Sequence, residues 1–137
     1  MDDSPSNIRP ILHLGQEMLT RSHSPYSGFR VASVAISDGG NLYGGCNVEN
    51  SSYASTVCAE VCAITRMVAN GSKKLQKIFI FSDSEKFVTP CGSCRQVILE
   101  FSQSDISVVL VNSKNKLREH KLSSLIPYAF SLETEEA

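Results

Sequence analysis

The stretch VCAEVCAITRMVANGSKKLQKIFIFSDSEKFVTPCGSCRQVILEF, residues 57–101, combines the patterns of a helix, a strand and a second helix. Apolar residues recur at helical spacing over 57–70, and Asn70-Gly71 is a typical helix stop. The continuous apolar run within 75–82 is typical of a central strand that is covered on both faces. The helical pattern then resumes over 91–101. This order predicts an α/β fold.

The segments on either side extend the same pattern. They predict a first helix, a hairpin around the turn signal Asp38-Gly39-Gly40-Asn41, and further strands near the end. The predicted elements are helix 7–22, strands 29–36 and 42–46, helix 57–70, strand 75–82, helix 91–101, strands 106–111 and 117–120, and a helical turn at 123–126. We expect one domain over residues 1–137, a three-layer α/β/α sandwich with a mixed sheet, and frayed ends at 1–6 and 132–137.

Composition restricts the possible classes of protein. The chain has 13 Lys and Arg against 14 Asp and Glu, and no basic run, which argues against a polynucleotide partner. No stretch approaches the roughly 18 apolar residues of a membrane span, and the acidic, polar start does not suit a secretory signal. Five cysteines, an odd number, favour metal or thiol chemistry in a reducing compartment over a disulfide framework. We therefore expect a cytoplasmic protein.

Two short segments supply three thiols and one carboxyl group near the predicted helix starts. They are Cys58-Ala59-Glu60 and Pro90-Cys91-Gly92-Ser93-Cys94. The amino end of a helix favours thiolates through its unpaired N–H groups. A zinc ion with three protein ligands keeps a fourth position for water, and a nearby free carboxylate such as Glu60 can move protons. The pattern predicts a hydrolytic zinc site.

A closed structural zinc site is an alternative that spacing alone leaves open. Cys58 and Cys62 are four residues apart, and Cys91 and Cys94 are three apart. Such pairs also occur in structural sites with four cysteine ligands, which carry no reaction. In that case the chain would be a non-catalytic zinc module with Cys62 as the fourth ligand.

The polar segment that precedes Cys58 is a second candidate for ligand binding. Asn47 and Glu49 lie two residues apart in a predicted loop. An amide and a carboxylate in this arrangement can bind neighbouring hydroxyl groups as donor and acceptor. Ordinary turn chemistry for Asn and a solvated Glu is the alternative interpretation.

Four segments together resemble the small, homotetrameric class of cytidine deaminases. They are Ser-Pro-Tyr-Ser-Gly-Phe-Arg-Val at 24–31, Gly-Cys-Asn-Val-Glu-Asn-Ser-Ser-Tyr at 45–53, Cys-Ala-Glu at 58–60 and Pro-Cys-Gly-Ser-Cys-Arg-Gln at 90–96. The zinc segments are shared by the whole zinc-deaminase superfamily. The segment Asn47-Val48-Glu49-Asn50 is more selective, because it resembles the nucleoside-binding loop of this class. The resemblance extends over 24–130.

The resemblance implies a five-stranded mixed sheet between helical layers, and an enzyme of pyrimidine salvage that hydrolyses cytidine and 2′-deoxycytidine to uridine and 2′-deoxyuridine. It implies one zinc ion per chain, held by Cys58, Cys91 and Cys94, with Glu60 as proton shuttle. The implied substrate contacts are Asn47 and Glu49 with the ribose, Phe29 with the pyrimidine ring, the backbone at Ala59 and Thr89 with the base carbonyl and leaving amine, and Tyr53 and Phe130 at sites shared between subunits of a homotetramer.

One residue departs from the pattern of that class. Small cytidine deaminases usually have Arg directly after the catalytic Glu, where this chain has Val61. In the family that Arg offsets the charge of the three thiolates. Blasticidin S deaminase, a relative, also has an apolar residue there but lacks the nucleoside-binding loop. A blasticidin S-type or relaxed-specificity aminohydrolase is therefore the alternative enzyme.

Overall fold

The computed structural model of the chain describes the backbone of residues 5–132 and the side chains of residues 7–132. The expectation of frayed ends falls largely outside these residues. At the amino end, Pro5 and Ser6 are helical, so the first helix begins two residues earlier than the pattern predicts.

The described residues form the predicted elements in the predicted order. They are α1 (Pro5–Arg21), β1 (Val31–Ser37), β2 (Leu42–Cys46), α2 (Ala59–Ala69), β3 (Leu75–Ser82), α3 (Gly92–Phe101), β4 (Ser102–Val111), β5 (Leu117–Lys121) and α4 (Leu122–Leu125), with a short 3₁₀ turn at Tyr53–Ser55. Two strand starts differ from the prediction. β1 begins at Val31, because Phe29 and Arg30 belong to the preceding loop, and β4 follows α3 directly because Ser102 already pairs with Leu75.

The five strands form one mixed sheet in the order β2-β1-β3-β4-β5, which confirms the expected fold. β3 and β4 are parallel, and all other neighbouring pairs are antiparallel. A parallel pair needs a crossover connection, and α3 provides it. Because β1 is antiparallel to both of its neighbours, Ala32 pairs with Cys46 and Val31 pairs with Ser82. The start of β1 and the ends of β2 and β3 therefore lie at one edge of the sheet.

Helices cover both faces of this sheet and produce two apolar cores. Successive strand residues point to opposite faces, so Phe79 and Phe81 pack toward α1 while Ile78 and Ile80 pack toward α2 and α3. Burial of these side chains supplies the main driving force for folding. The arrangement is the expected three-layer sandwich. No helix within 5–132 is long and apolar enough to cross a bilayer.

Close packing at Gly45 places the first turn of α2 against the edge strand β2. A Cβ atom at Gly45 would lie 2.4 Å from the backbone nitrogen of Ala63 and 2.8 Å from the carbonyl oxygen of Ala59. Both contacts are shorter than van der Waals distance and involve backbone atoms, so only glycine permits this approach. Gly45 thereby fixes where Cys58 and Glu60 stand relative to the sheet edge.

Candidate metal and active site

Three thiols from two helix starts converge at this edge of the sheet. Cys58 precedes the first residue of α2, Cys91 precedes the first residue of α3, and Cys94 lies in the first turn of α3. Their Sγ atoms all lie within 4.8 Å of one another. Among residues 7–132, these three are the cysteine, histidine and carboxylate side chains that are grouped closely enough to share a metal ion. The spacing-based prediction that the two segments meet is therefore correct.

The cluster fits a zinc ion. Tetrahedral Zn–S bonds of about 2.3 Å place neighbouring sulfur atoms about 3.8 Å apart, so a contraction of at most ~1 Å brings the three thiols into ligand geometry. The amino ends of two helices lie beside them and favour negative charge. Three sulfur ligands leave one tetrahedral position for a non-protein ligand. The donor set is that of an open zinc site.

The pKa values of the thiols also show why a cation suits this site. The backbone N–H of Cys94 holds the pKa of Cys91 below its usual value. Burial raises the pKa of Cys58 and that of Cys94, which disfavours their thiolates when no cation is near. A divalent ion offsets this cost, because it binds thiolates and releases their protons.

Cys62 does not belong to the cluster. It lies one helical turn after Cys58, and its backbone N–H donates to the Cys58 carbonyl oxygen at 3.0 Å. Cys62 instead affects Cys46 on β2. Burial is the larger cause that raises the pKa of Cys46, and electrostatic repulsion from Cys62 raises it further. The geometry of α2 thus leaves Cys62 outside the group that could form a closed four-cysteine site.

Glu60 is the buried acid of the site. It lies in the first turn of α2, retains 4% of its surface exposed, and lines the same cavity as the three cysteines. Burial raises the pKa of Glu60 above the usual value for a glutamate. A carboxyl group with a raised pKa can both accept and donate a proton near neutral pH.

The cavity beside the cysteines has a volume of ≈ 180 Å³. This is below the roughly 300 Å³ at which sites for drug-sized ligands begin, so it suits a small ligand. Apolar side chains of Val31, Val57, Ile80 and Val88 line part of it. The predicted site residues that line it are Asn47, Glu49, Ala59, Glu60 and Thr89, together with the three cysteines.

Asn47 connects the end of β2 to the loop before β1. Its Oδ1 atom accepts hydrogen bonds from the Val31 N–H at 3.0 Å and from the Ser22 hydroxyl. Its Nδ2 atom donates to the Phe29 carbonyl oxygen at 2.9 Å. One amide N–H of Asn47 is left over from these bonds. The side chain therefore has a structural role and keeps one donor available.

Glu49 holds the same loop through its carboxylate. Its Oε1 atom accepts from the N–H groups of Tyr26 at 3.0 Å and Ser27 at 3.1 Å, and its Oε2 atom accepts from the Ser27 hydroxyl. The Ser27 hydroxyl is the main cause that lowers the pKa of Glu49. Glu49 is thus a carboxylate at neutral pH, and about one of its four lone-pair directions remains open.

Three predicted contact residues lie outside the cavity walls. The side chains of Phe29, Tyr53 and Phe130 are 36%, 83% and 66% exposed. Tyr53 borders a neighbouring recess of ≈ 320 Å³ with Tyr26 and Glu49. Phe130 is fixed through its carbonyl oxygen, which accepts from Gln96 Nε2 at 3.0 Å. Within one chain, these rings do not meet the cysteine cluster.

Sequence reasoning missed residues that hold the site in place. The Ser22 hydroxyl donates to Asn47, and the Ser27 hydroxyl donates to Glu49. The only sequence signal for these two serines is that they lie in the segment before β1.

Arg95 also supports the site. It donates from Nε to the Pro90 carbonyl oxygen at 2.7 Å and from its guanidinium to the Leu125 carbonyl oxygen at 2.6 Å. Arg95 thereby ties the residue before Cys91 to the end of α4.

Comparisons with known proteins agree with this α/β fold, its open three-thiol site and its buried acid. The family model for the cytidine and deoxycytidylate deaminase zinc-binding region matches residues 5–110. The cytidine deaminase of Sporosarcina psychrophila is 40% identical over 127 residues, which is 93% of each chain. A probable cytidine deaminase of Dictyostelium discoideum is 41% identical over 113 residues, or 82% of this chain and 76% of the relative.

Solved structures give the same result. The cytidine deaminase of Burkholderia pseudomallei superposes with a TM-score of 0.83 at 31% identity, over 89% of this chain and 98% of that one. The enzyme of Mycobacterium tuberculosis gives a TM-score of 0.76 at 32% identity, over 88% and 94%. The chain therefore belongs to the cytidine and deoxycytidylate deaminase family, and it is a zinc-dependent hydrolytic deaminase.

Zinc content of cysteine variants distinguishes the open site from a closed one. We expect Cys62→Ala to keep about one zinc ion per chain, because Cys62 lies outside the cluster, and Cys91→Ser to lose most of it. Metal analysis after dialysis measures both, with circular dichroism to confirm folding. Loss of zinc from a folded Cys62→Ala variant would contradict the three-thiol site.

Proposed function

We propose that the protein hydrolyses cytidine and 2′-deoxycytidine to uridine and 2′-deoxyuridine with release of ammonia, as a reaction of pyrimidine salvage. The observation that carries this proposal is one cavity lined by three clustered thiols, a buried acid and two polar side chains suited to a sugar. The zinc-dependent deamination of cytidine rests on family membership and on relatives named cytidine deaminase. Acceptance of the deoxy substrate is our extension.

The proposed ligands of zinc are Cys58, Cys91 and Cys94. When bound there, zinc supplies the acidity that makes a water molecule nucleophilic near neutral pH. The chain contributes the orientation of these groups through the two helix starts. Arg95 supports the Cys91 side of the site, because it holds the carbonyl group of the preceding residue.

Glu60 is the proposed proton carrier. Its raised pKa suits it to take a proton from the attacking water, deliver it to N3 of the ring, and then assist the departure of ammonia. The buried position of Glu60 keeps bulk water from competing for these protons. Its place beside the thiol cluster supports this order of events.

Polar groups of the chain are proposed to orient the nucleoside. The backbone at Ala59 would contact the base carbonyl, that at Thr89 the leaving amine, and the Phe29 ring the pyrimidine. For the sugar, Asn47 offers one donor, its remaining amide N–H, and Glu49 offers one acceptor, its remaining lone pair. One hydroxyl group can meet both, which supports acceptance of a sugar that lacks its 2′-hydroxyl.

A blasticidin S-type enzyme is the alternative, because Val61 stands where the resemblance leads us to expect Arg. Three thiolates around a divalent ion leave a formal charge of −1, and Val61 offers no cation to offset it. The N–H groups of Cys94 and Ser93 act on Cys91 instead and lower its pKa. Since relatives at 40% and 41% identity are named cytidine deaminases, we place cytidine first among substrates.

The proposed reaction predicts the behaviour of Glu60→Gln. Zinc-loaded protein should deplete the ultraviolet absorbance of cytidine and of 2′-deoxycytidine. The Gln variant should lose at least ~10²-fold in kcat, because it cannot carry a proton, yet retain zinc. Glu100→Gln on the exposed part of α3 is the matched control and should remain active. No turnover of either nucleoside, or clear preference for blasticidin S, would refute the proposed substrate.

We also propose a homotetramer whose subunits share their active sites. The exposed rings of Tyr53 and Phe130 support it, because such large apolar groups commonly pack against a partner.

Light scattering should give four times the mass of one chain. Phe130→Ala and Glu60→Gln chains, each impaired alone, should regain activity when refolded together, since mixed assemblies contain sites with both groups intact. Mixtures no more active than the Phe130→Ala chains alone would contradict shared sites.

A cytoplasmic location is the last part of the proposal. All five cysteines are free thiols, three of them in the metal cluster, and this usage is typical of reducing compartments. Cell fractionation followed by cytidine assay measures it, and activity confined to another fraction would contradict it.

A further inference from the structure

We infer that Ser27 is a positioning residue for sugar recognition. It orients the carboxylate of Glu49, which in turn would contact the sugar. This inference rests on the proposed function, in which Glu49 accepts a hydrogen bond from the ribose. It concerns a residue that does not line the cavity and would itself touch neither the base nor the sugar.

The Ser27 hydroxyl makes two bonds at once. It donates to Glu49 Oε2 and accepts from the Phe29 N–H at 2.9 Å. The reversal of the chain that allows the second bond occurs at Gly28, whose φ of +68° favours glycine. The Gly28 N–H closes the turn by donating to the Ser24 carbonyl oxygen at 2.9 Å. The hydroxyl is therefore held in one direction, with its hydrogen toward Glu49.

Ser27 supplies most of what fixes the Glu49 carboxylate. Of the three hydrogen bonds described above for this carboxylate, Ser27 donates two and Tyr26 donates one. The hydroxyl bond alone engages Oε2, the oxygen that also carries the open lone-pair direction. Bonds to a charged acceptor are stronger than bonds between neutral groups. Loss of this hydroxyl would leave Oε2 without a hydrogen bond and the carboxylate held through Oε1 alone, so its last torsion, which is broad in an unconstrained Glu, would be less restricted.

The loop keeps other anchors when this hydroxyl is removed, although the Phe29 N–H loses its acceptor. Phe29 stays anchored through its carbonyl oxygen, which accepts from Asn47 Nδ2 at 2.9 Å. The two bonds to Glu49 Oε1 come from backbone N–H groups, which a Ser27→Ala variant retains. The main expected defect is therefore in the orientation of Oε2, and it affects ligands that carry a hydroxyl group for this oxygen.

Steady-state kinetics of Ser27→Ala with two substrates test the inference. With cytidine, KM should rise about tenfold, the equivalent of one hydrogen bond to a charged group, while kcat stays within about twofold. With 2′,3′-dideoxycytidine, which lacks both ring hydroxyls, KM should change less than about twofold. Ser27→Thr should restore most of the cytidine KM, and Ser104→Ala on the exposed part of β4 should behave as wild type.

Two outcomes would overturn the inference. An unchanged cytidine KM would mean that Glu49 is oriented without Ser27. An equal rise for dideoxycytidine would mean that the whole loop is disturbed rather than one carboxylate.

A second measurement does not depend on turnover and separates this inference from the proposed function. The NMR-detected pKa of Glu49 should rise in Ser27→Ala, because the hydroxyl stabilises the charged form. An unchanged Glu49 pKa would overturn the inference even in an active enzyme. Wild-type protein that does not act on cytidine would refute the proposed function, while a raised pKa would still support the role of Ser27.

Discussion

The site depends on the meeting of two helix starts at one edge of the sheet. Strand direction brings the ends of β2 and β3 to that edge, and the chain enters α2 and α3 from there. Gly45 lets α2 approach the edge strand at backbone distance. The thiols of Cys58 and Cys91 consequently lie together, although 32 intervening residues separate them in sequence. Both helices direct unpaired N–H groups toward negative charge.

The metal site also depends on a balance between buried negative groups and the positive charge around them. Burial of Cys58, Cys94 and Glu60 disfavours their charged forms, so the empty site would hold more protons than the metal-bound site. Val61 contributes no charge, and backbone N–H groups at the start of α3 lower the pKa of Cys91. Backbone N–H groups therefore offset part of the negative charge at this site.

Sequence predicted the elements, the layers and the cluster, because these follow from apolar periodicity and from local metal-ligand spacing. Cysteine spacing alone could not separate Cys62 from Cys58, since that separation depends on where α2 holds each thiol relative to α3, and at the level of sequence it came only from the family resemblance. Sequence reasoning also missed Ser27, because a hydroxyl contact between residues 22 positions apart depends on tertiary structure. The roles expected for Phe29, Tyr53 and Phe130 stay predictions, since their rings lie outside the cavity of a single chain.

The central claim is that an open three-thiol zinc site hydrolyses cytidine. Titration of zinc into chelator-treated protein, with bound metal and cytidine turnover measured on the same samples, tests it most directly. We expect no turnover without metal and a linear rise that reaches its plateau at one zinc ion per chain. Full turnover in metal-free protein, or a zinc-saturated, folded protein that leaves cytidine unchanged, would contradict it.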